Sequence, residues 1–167
     1  MKEYFEILKD TFLGNFVPSF QKRPKRRVIQ SPKFYYFDLG LANFLLKRKR
    51  IVPRSEIFGK AFEHLIYQEL IAHSHYSGLK YPISYLHTTS DIEVDFILGD
   101  HGVAIEVKGV EQVHHTKGMI AFQEEYTTKK SIIVSLDPRP RQLLNGITVL
   151  PWAHFLQKLW NGEVISS

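Results

Sequence analysis

DIEVDFILGDHGVAIEVKG, residues 91–109, reads as two alternating strands, 92–98 and 103–108, joined by Gly99-Asp100-His101-Gly102. Two glycines supply the positive φ that a tight reversal needs. With a four-residue loop Leu98 faces Val103, so Ile97 stands opposite Ala104, Asp95 opposite Glu106 and Glu93 opposite Lys108. Strand side chains alternate between faces, which leaves Val94, Phe96, Leu98, Val103, Ile105 and Val107 on a second face. That face is wholly apolar and is expected to be buried.

The polar face carries the chemistry. Two carboxylates directly across an antiparallel pair have Cβ atoms about 4.5–5.5 Å apart and repel. A divalent cation between them would relieve the repulsion, since Mg²⁺ is held by one or two carboxylates together with phosphate oxygens and water. Lys108 lies two residues beyond Glu106 on the same face. Acids of this kind hold a metal that activates water and neutralises phosphate, while the ammonium stabilises developing charge. The same residues also read as a solvated sheet face with an ordinary Glu93–Lys108 ion pair.

The 167-residue chain is long enough for one domain with a small appendage. Its apolar and charged fractions, 44% and 23%, are those of a folded soluble protein. No apolar run predicts a transmembrane helix, and no secretory leader is expected. The lack of cysteine excludes disulfides and thiolate metal ligands and fits a cytoplasmic location. Charge is unevenly spread: residues 22–54 hold eleven Lys/Arg against one acid, Asp38, within a chain whose net charge is +5. A basic segment on a mildly acidic body points to a polyanionic partner, DNA above all. The candidate phosphate contacts are Lys22, Arg23, Lys25, Arg26, Arg27, Lys47, Arg48, Lys49 and Arg50, a solvated basic loop being the alternative.

From the N-terminus, residues 3–13 place Tyr4, Ile7, Leu8 and Thr11/Phe12 on one helical stripe, ended by Gly14-Asn15. Residues 16–20 and 28–30 read as extended pieces around the run QKRPKRR, and 33–37 as a third short strand. A helix followed by a basic-tipped hairpin resembles the last part of a winged-helix domain, whose wing contacts phosphates without reading bases. Asp38 is the expected N-cap of a helix over 39–48 with Leu41, Phe44 and Leu45 inward. Tyr35 and Tyr36 read as core residues, base stacking being the other option. A linker at 51–55 separates a basic, partly winged-helix-like appendage (1–52) from the main domain (53–167).

Residues 56–76 form the longest helical pattern, with Phe58, Phe62, Leu65, Ile66 and Leu70 inward and Gly59 placed for close approach to the sheet. Glu63, beside Phe62, either reaches solvent or points along the sheet toward the acidic pair. A strand over 82–88 and the hairpin follow. Next come a helix from 114 or 116 to 127 with Met119, Ile120 and Phe122 inward, and a buried strand over 131–136. An edge strand over 147–150 and a helix over 151–160 complete the chain.

From residue 56 the order is therefore helix, strand, strand, strand, helix, strand. Glu63 lies on the first helix, Asp95 on the second strand and Glu106-Val107-Lys108 on the third. This combination resembles the PD-(D/E)XK nuclease superfamily, which implies a restriction-endonuclease-like αβββαβ core, a mixed sheet flanked by helices. The resemblance assigns Mg²⁺ (or Mn²⁺) binding to Asp95 and Glu106, assistance to the attacking water to Lys108, and support to Glu63. Gln123 and Tyr126 resemble the Q-x-x-Y feature of RecB-like members, which adds Gln123 to the catalytic set. No proline precedes Asp95, where Val94 stands. A longer resemblance runs through PKFYYFDLGLANFL, GKAFEHLIYQEL, EVDFIL and AIEVKG. These look like the C-terminal half of prokaryotic AAA-type ATPases that end in a domain of unknown function. It implies an ATPase module as partner, although this sequence has no G-x-x-x-x-G-K-[ST] phosphate loop and is expected not to hydrolyse ATP itself.

Two functions follow as expectations. One is a metal-dependent DNA nuclease; the other is a catalytically inactive nuclease-like module that binds DNA or protein. An oligomerisation element is a third reading, and it leaves the basic segment unexplained. Many related nucleases work as dimers, so a homodimer is the oligomer the resemblance implies. The eight histidines show no zinc spacing, and neither H-E-x-x-H nor G-x-S-x-G occurs.

Overall fold

The computed structural model describes residues 2–21, 27–48, 50–109 and 116–166. The chain opens with helix α1 (Lys2–Asp10), strands β1 (Gly14–Val17) and β2 (Lys33–Tyr36), and helix α2 (Leu39–Leu45). The long helix α3 (Glu56–Tyr76) follows, then β3 (Ile83–His87), β4 (Glu93–Leu98) and β5 (Val103–Lys108). Helix α4 (Lys117–Glu125), β6 (Lys130–Ser135), β7 (Arg141–Gln142), β8 (Thr148–Pro151) and α5 (Trp152–Trp160) complete it.

Strands β3 to β8 form a six-stranded mixed sheet in the order β3-β4-β5-β6-β8-β7. The β3/β4, β4/β5 and β7/β8 pairs are antiparallel, whereas β5/β6 and β6/β8 are parallel. Helices cover both faces. Phe62, Ile66 and Leu70 of α3, with Phe155 and Leu159 of α5, pack on Phe96, Leu98, Ile105 and Val134. Met119 and Phe122 of α4 close the opposite face over Ile97, Ala104 and Ile133. Each such side chain stabilises the fold by roughly 1.5–3 kcal/mol. Among the described residues, no helix is long and apolar enough to cross a membrane.

The β4–β5 loop gives the expected register, Leu98↔Val103, Ile97↔Ala104 and Phe96↔Ile105. Its second left-handed residue is His101 (φ 65°) rather than Gly102, beside Gly99 (φ 64°). The His101 ring lies 2.9 Å from the Thr127 carbonyl. Helix α3 starts where expected, because Ser55 caps it by accepting from the Phe58 N–H at 3.1 Å.

Several expectations are corrected. The alternation of β4 is broken by a bulge: Ser84 pairs with Ile97 but Leu86 pairs with Val94, so Tyr85 stands opposite both Asp95 and Phe96. Val94 consequently joins Ile97 and Ala104 in the core under α4, away from Phe96 and Ile105. Gly59 has open space where a side chain would stand; the close approach is at Gly118, whose Cβ would lie 1.9 Å from the Glu93 carbonyl oxygen. Strand β8 is flanked by β7 and is not an edge.

The N-terminal region differs most. Strand β1 pairs with β2, Asn15 opposite Tyr35 and Val17 opposite Lys33, and not with residues 28–30. Those residues instead follow the outer edge of β3, where Ser19 bridges Tyr85, Val28 bridges Thr88, and the Ile29 N–H donates to the His87 carbonyl. A free sheet edge is thereby covered. In α1 it is Phe5 that packs, against Phe16 and Phe34, while Tyr4 and Ile7, and Phe12 just beyond the helix, are exposed. Asp38 caps α2 as expected, accepting from the Leu41 N–H at 2.6 Å, yet Leu41, Phe44 and Leu45 face outward and Ala42 is the buried residue. The helix ends at Leu45, three residues short of the expected 48.

Candidate functional site

Four elements deliver polar side chains to one end of the β4–β5 pair. The ladder between these strands stops at Phe96↔Ile105. Beyond it, the Val107 N–H donates to Asp95 Oδ2 at 2.7 Å, so a side chain takes the place of a ladder bond. The bulge carries Asp95 toward α3, where Glu63 and Lys33 dominate the charge around it. Tyr35, buried and stacked on Tyr67, donates its hydroxyl hydrogen bond to Glu63 Oε1.

The centre of the group is Lys33, the first residue of β2. Its Nζ lies 2.9 Å from Glu93 Oε1, 3.1 Å from Glu63 Oε1 and 3.7 Å from Asp95 Oδ1. The ammonium also lies 5.1 Å from the centre of the Tyr85 ring, a cation–π distance. Glu106 and Lys108 form a second unit beside it, Oε1 and Nζ being 2.9 Å apart. The other oxygen of Glu106, Oε2, is buried without a hydrogen-bond partner.

The electrostatics follow from this layout. Burial, reinforced by Glu63, pushes the Asp95 carboxyl up to about 7, against the pull of Lys33, Lys108 and the Val107 N–H. Burial likewise raises Glu106, with Lys108 opposing and Glu93 adding to the rise. For Lys33 burial works against the charge, but Glu63, Asp95 and Glu93 outweigh it and hold the ammonium well above the ordinary lysine range. Lys108 is held protonated in the same way, chiefly by Glu106 and then by Asp95. Tyr35 is shifted upward by burial and by Glu63, so its hydroxyl keeps its proton and donates.

Glu63, Asp95 and Lys108 thus share one electrostatic neighbourhood, and Glu63 takes the second of its two expected directions. Asp95 and Glu106, expected to face each other, lie just past the last ladder pair and hold different partners, the Val107 N–H and Lys108. The Glu93–Lys108 ion pair of the alternative reading gives way to Glu93–Lys33, although the charge of Glu93 still favours the protonated Lys108. Gln123 is not brought to the centre: its amide donates to Ser131 Oγ at 3.0 Å. Ser131 pairs with Ala104, whereas Lys108 pairs with Ser135. That separation is four residues, roughly 13 Å of strand. Of the basic residues, Arg27, Lys47, Arg48 and Arg50 are exposed; Lys22, Arg23, Lys25, Arg26 and Lys49 lie outside the described residues. Of the two expected starts of α4, His114 also lies outside them, while Thr116 immediately precedes the helix.

Lys33 and Tyr35 are the participants that the motif reading missed. Their one signal was position within PKFYYF, where Lys33 and Tyr35 alternate onto one face of a strand. Nothing local linked that strand to Glu63, thirty residues on.

Residues 58–155, more than half of the chain, match a family described as a domain of unknown function (DUF4143). The chain belongs to that family. Residues 1–51 match a second domain of unknown function (DUF8612). Domains of the DUF4143 family are commonly found at the C-termini of AAA-type ATPases. No curated protein and no solved structure matches the chain. Within the DUF4143 segment stand Glu63, Glu93, Asp95, Glu106 and Lys108; Lys33 and Tyr35 come from the DUF8612 segment.

Proposed function

We propose that this chain is a nuclease-like domain of the PD-(D/E)XK type, serving as the DNA-acting module of an AAA-type ATPase. The observation that carries the reading is the end of the β4–β5 ladder. There a bulge brings Asp95 to the α3 carboxylate of Glu63, with the Glu106–Lys108 pair alongside. Grouping acids and a lysine at a splayed strand end suits water attack on a phosphodiester, with developing negative charge met by fixed ammonium groups. The exposed cations Arg27, Lys47, Arg48 and Arg50 would contact the backbone of DNA without reading sequence.

The implied Mg²⁺ or Mn²⁺ is chemically suited to these donors but not to their present arrangement. Glu63, Glu93 and Asp95 converge on the Lys33 ammonium, and Glu106 Oε1 is taken by Lys108. Among the described residues no three His, Asp or Glu side chains are grouped to hold a metal ion. No step is therefore assigned to a metal with Lys33 in place. That same lysine favours the second reading, a module that binds DNA or a protein without cutting.

A cleavage assay separates the two readings. Duplex, single-stranded and four-way-junction DNA would be incubated with Mn²⁺, using the wild type and Lys33→Met. The nuclease reading expects metal-dependent cutting in at least one of these proteins, lost when Asp95→Asn or Lys108→Ala is added. Retained DNA binding with no cutting in either protein would leave the silent module as the function.

A further inference from the structure

We propose that Lys33 is an internal cation that closes the acidic centre, and that displacing it opens a binding site for one divalent cation among Glu63, Glu93, Asp95 and Glu106. The inference rests on the nuclease-type reading of these acids, but its test reads cation binding and not cleavage.

Three observations carry it. The first is the place of the ammonium, within 3.7 Å of carboxylate oxygens from α3 and from two positions of β4. Convergence of carboxylates from separate elements on one point is how proteins hold a hard cation, and here the cation is a side chain. The second is charge. One ammonium faces three carboxylates, so a divalent ion in its place would neutralise one further negative charge. The third is the oxygen left over. Glu106 is 5% exposed, its Oε2 has no partner, and it feels the charge of Glu93, which binds Lys33. A buried unpaired carboxylate oxygen is costly, and a cation beside Glu93 would relieve it.

The architecture makes displacement feasible. Lys33 belongs neither to the six-stranded sheet nor to its covering helices. It is carried by the β1–β2 ribbon, which is held to the body by the Ser19–Tyr85 bridge, by the Tyr35–Glu63 hydrogen bond to α3 and by Val17 and Tyr35 in the core. A partner that shifts this ribbon, such as the ATPase module, would withdraw Lys33 and Tyr35 together. Cation binding and the position of the N-terminal region would then be linked.

Mn²⁺ binding would be measured by electron paramagnetic resonance on the wild type, Lys33→Met and Lys33→Met/Asp95→Asn. Circular dichroism would check that each is folded. Lys33→Met should bind one Mn²⁺ about tenfold or more tightly than the wild type, and adding Asp95→Asn should remove that gain. Equal binding by the wild type and a folded Lys33→Met would overturn the proposal. Should Lys33→Met not fold, Lys33→Gln takes its place in the same comparison. Bound Mn²⁺ in the folded variant should broaden the Val107 amide, which donates to Asp95, before amides elsewhere in the body. Broadening confined to other sites in that variant would overturn the proposal. Mn²⁺ binding without DNA cleavage would defeat the nuclease reading and leave this one standing.

Discussion

In α3 the side chains of Phe62, Ile66 and Leu70 are sealed against the sheet, whereas in α1 and α2 Tyr4, Ile7, Phe44 and Leu45 face outward. Both regions show helical periodicity in their apolar residues. The difference is that the body has a six-stranded sheet to receive them, whereas the N-terminal region offers only the two-stranded ribbon, which takes Phe5 of α1. Periodicity announces a face but not its cover. The less covered region nevertheless supplies the two residues, Lys33 and Tyr35, that complete the polar centre of the better covered one. Apolar burial and the polar centre are therefore unevenly divided between them.

Truncation on either side gives the largest expected contrast. Phe96 is fully buried between Tyr35, Tyr67 and the α3 core, so Phe96→Ala should destabilise by about 3–5 kcal/mol in urea unfolding. Phe44 is 79% exposed, so Phe44→Ser should stay within about 0.5 kcal/mol of the wild type. A large loss at Phe44 would mean that α2 is covered in solution, and the contrast between the regions would collapse.

A pair of helix glycines sharpens the comparison within the body. At Gly118 an added Cβ meets the Glu93 carbonyl, a backbone atom with no freedom to move aside. Gly118→Ala should thus cost about 1–3 kcal/mol and displace Glu93, one of the three partners of Lys33. Gly59 lies in open space in the first turns of α3, and Gly59→Ala should instead stabilise by about 0.5–1 kcal/mol. Thermal melts of the two variants should shift in opposite directions.

What could be read from sequence divides along the same line. The Gly99–Gly102 loop and the alternation after it settle the β4–β5 register, since both are local. Ser55 and Asp38 announce their helices for the same reason. The bulge at Asp95–Phe96 could not be read, because it arises from pairing with Tyr85 on another strand. A strict period of two across Ile92 to Leu98 therefore put Val94 on the face of Phe96, whereas the bulge sends it under α4. Lys33 was hidden by its distance along the chain, and in isolation it reads as one more cation of a basic segment. Glu63 was legible as an acid beside the inner stripe, but which way it turned depended on Lys33 and Tyr35.

The seam between the two regions has its own titratable reporter in His64. The ring lies on α3, in edge contact with Tyr35 at 5.6 Å, and its Nε2 is buried without a partner. Burial lowers its pKa, only partly opposed by a backbone hydrogen bond to Tyr36 and by the charges of Glu63 and Asp38. In the unfolded chain the imidazole takes up a proton near the ordinary value of 6.5, whereas the folded protein takes it up at lower pH. The unfolded state thus binds more protons in that interval. Stability supplied by neutral His64 is present above 6.5 and is lost as the pH falls through the folded value. The slope from one proton is at most about 1.4 kcal/mol per pH unit. Comparing wild type with His64→Gln cancels the other titrating groups, so the wild type should lose stability faster below pH 6.5. Equal slopes would mean that the ring is open to water and that Tyr35 does not stay packed against α3. Lys33, two residues along the same strand, would then lose the frame that holds it among the carboxylates.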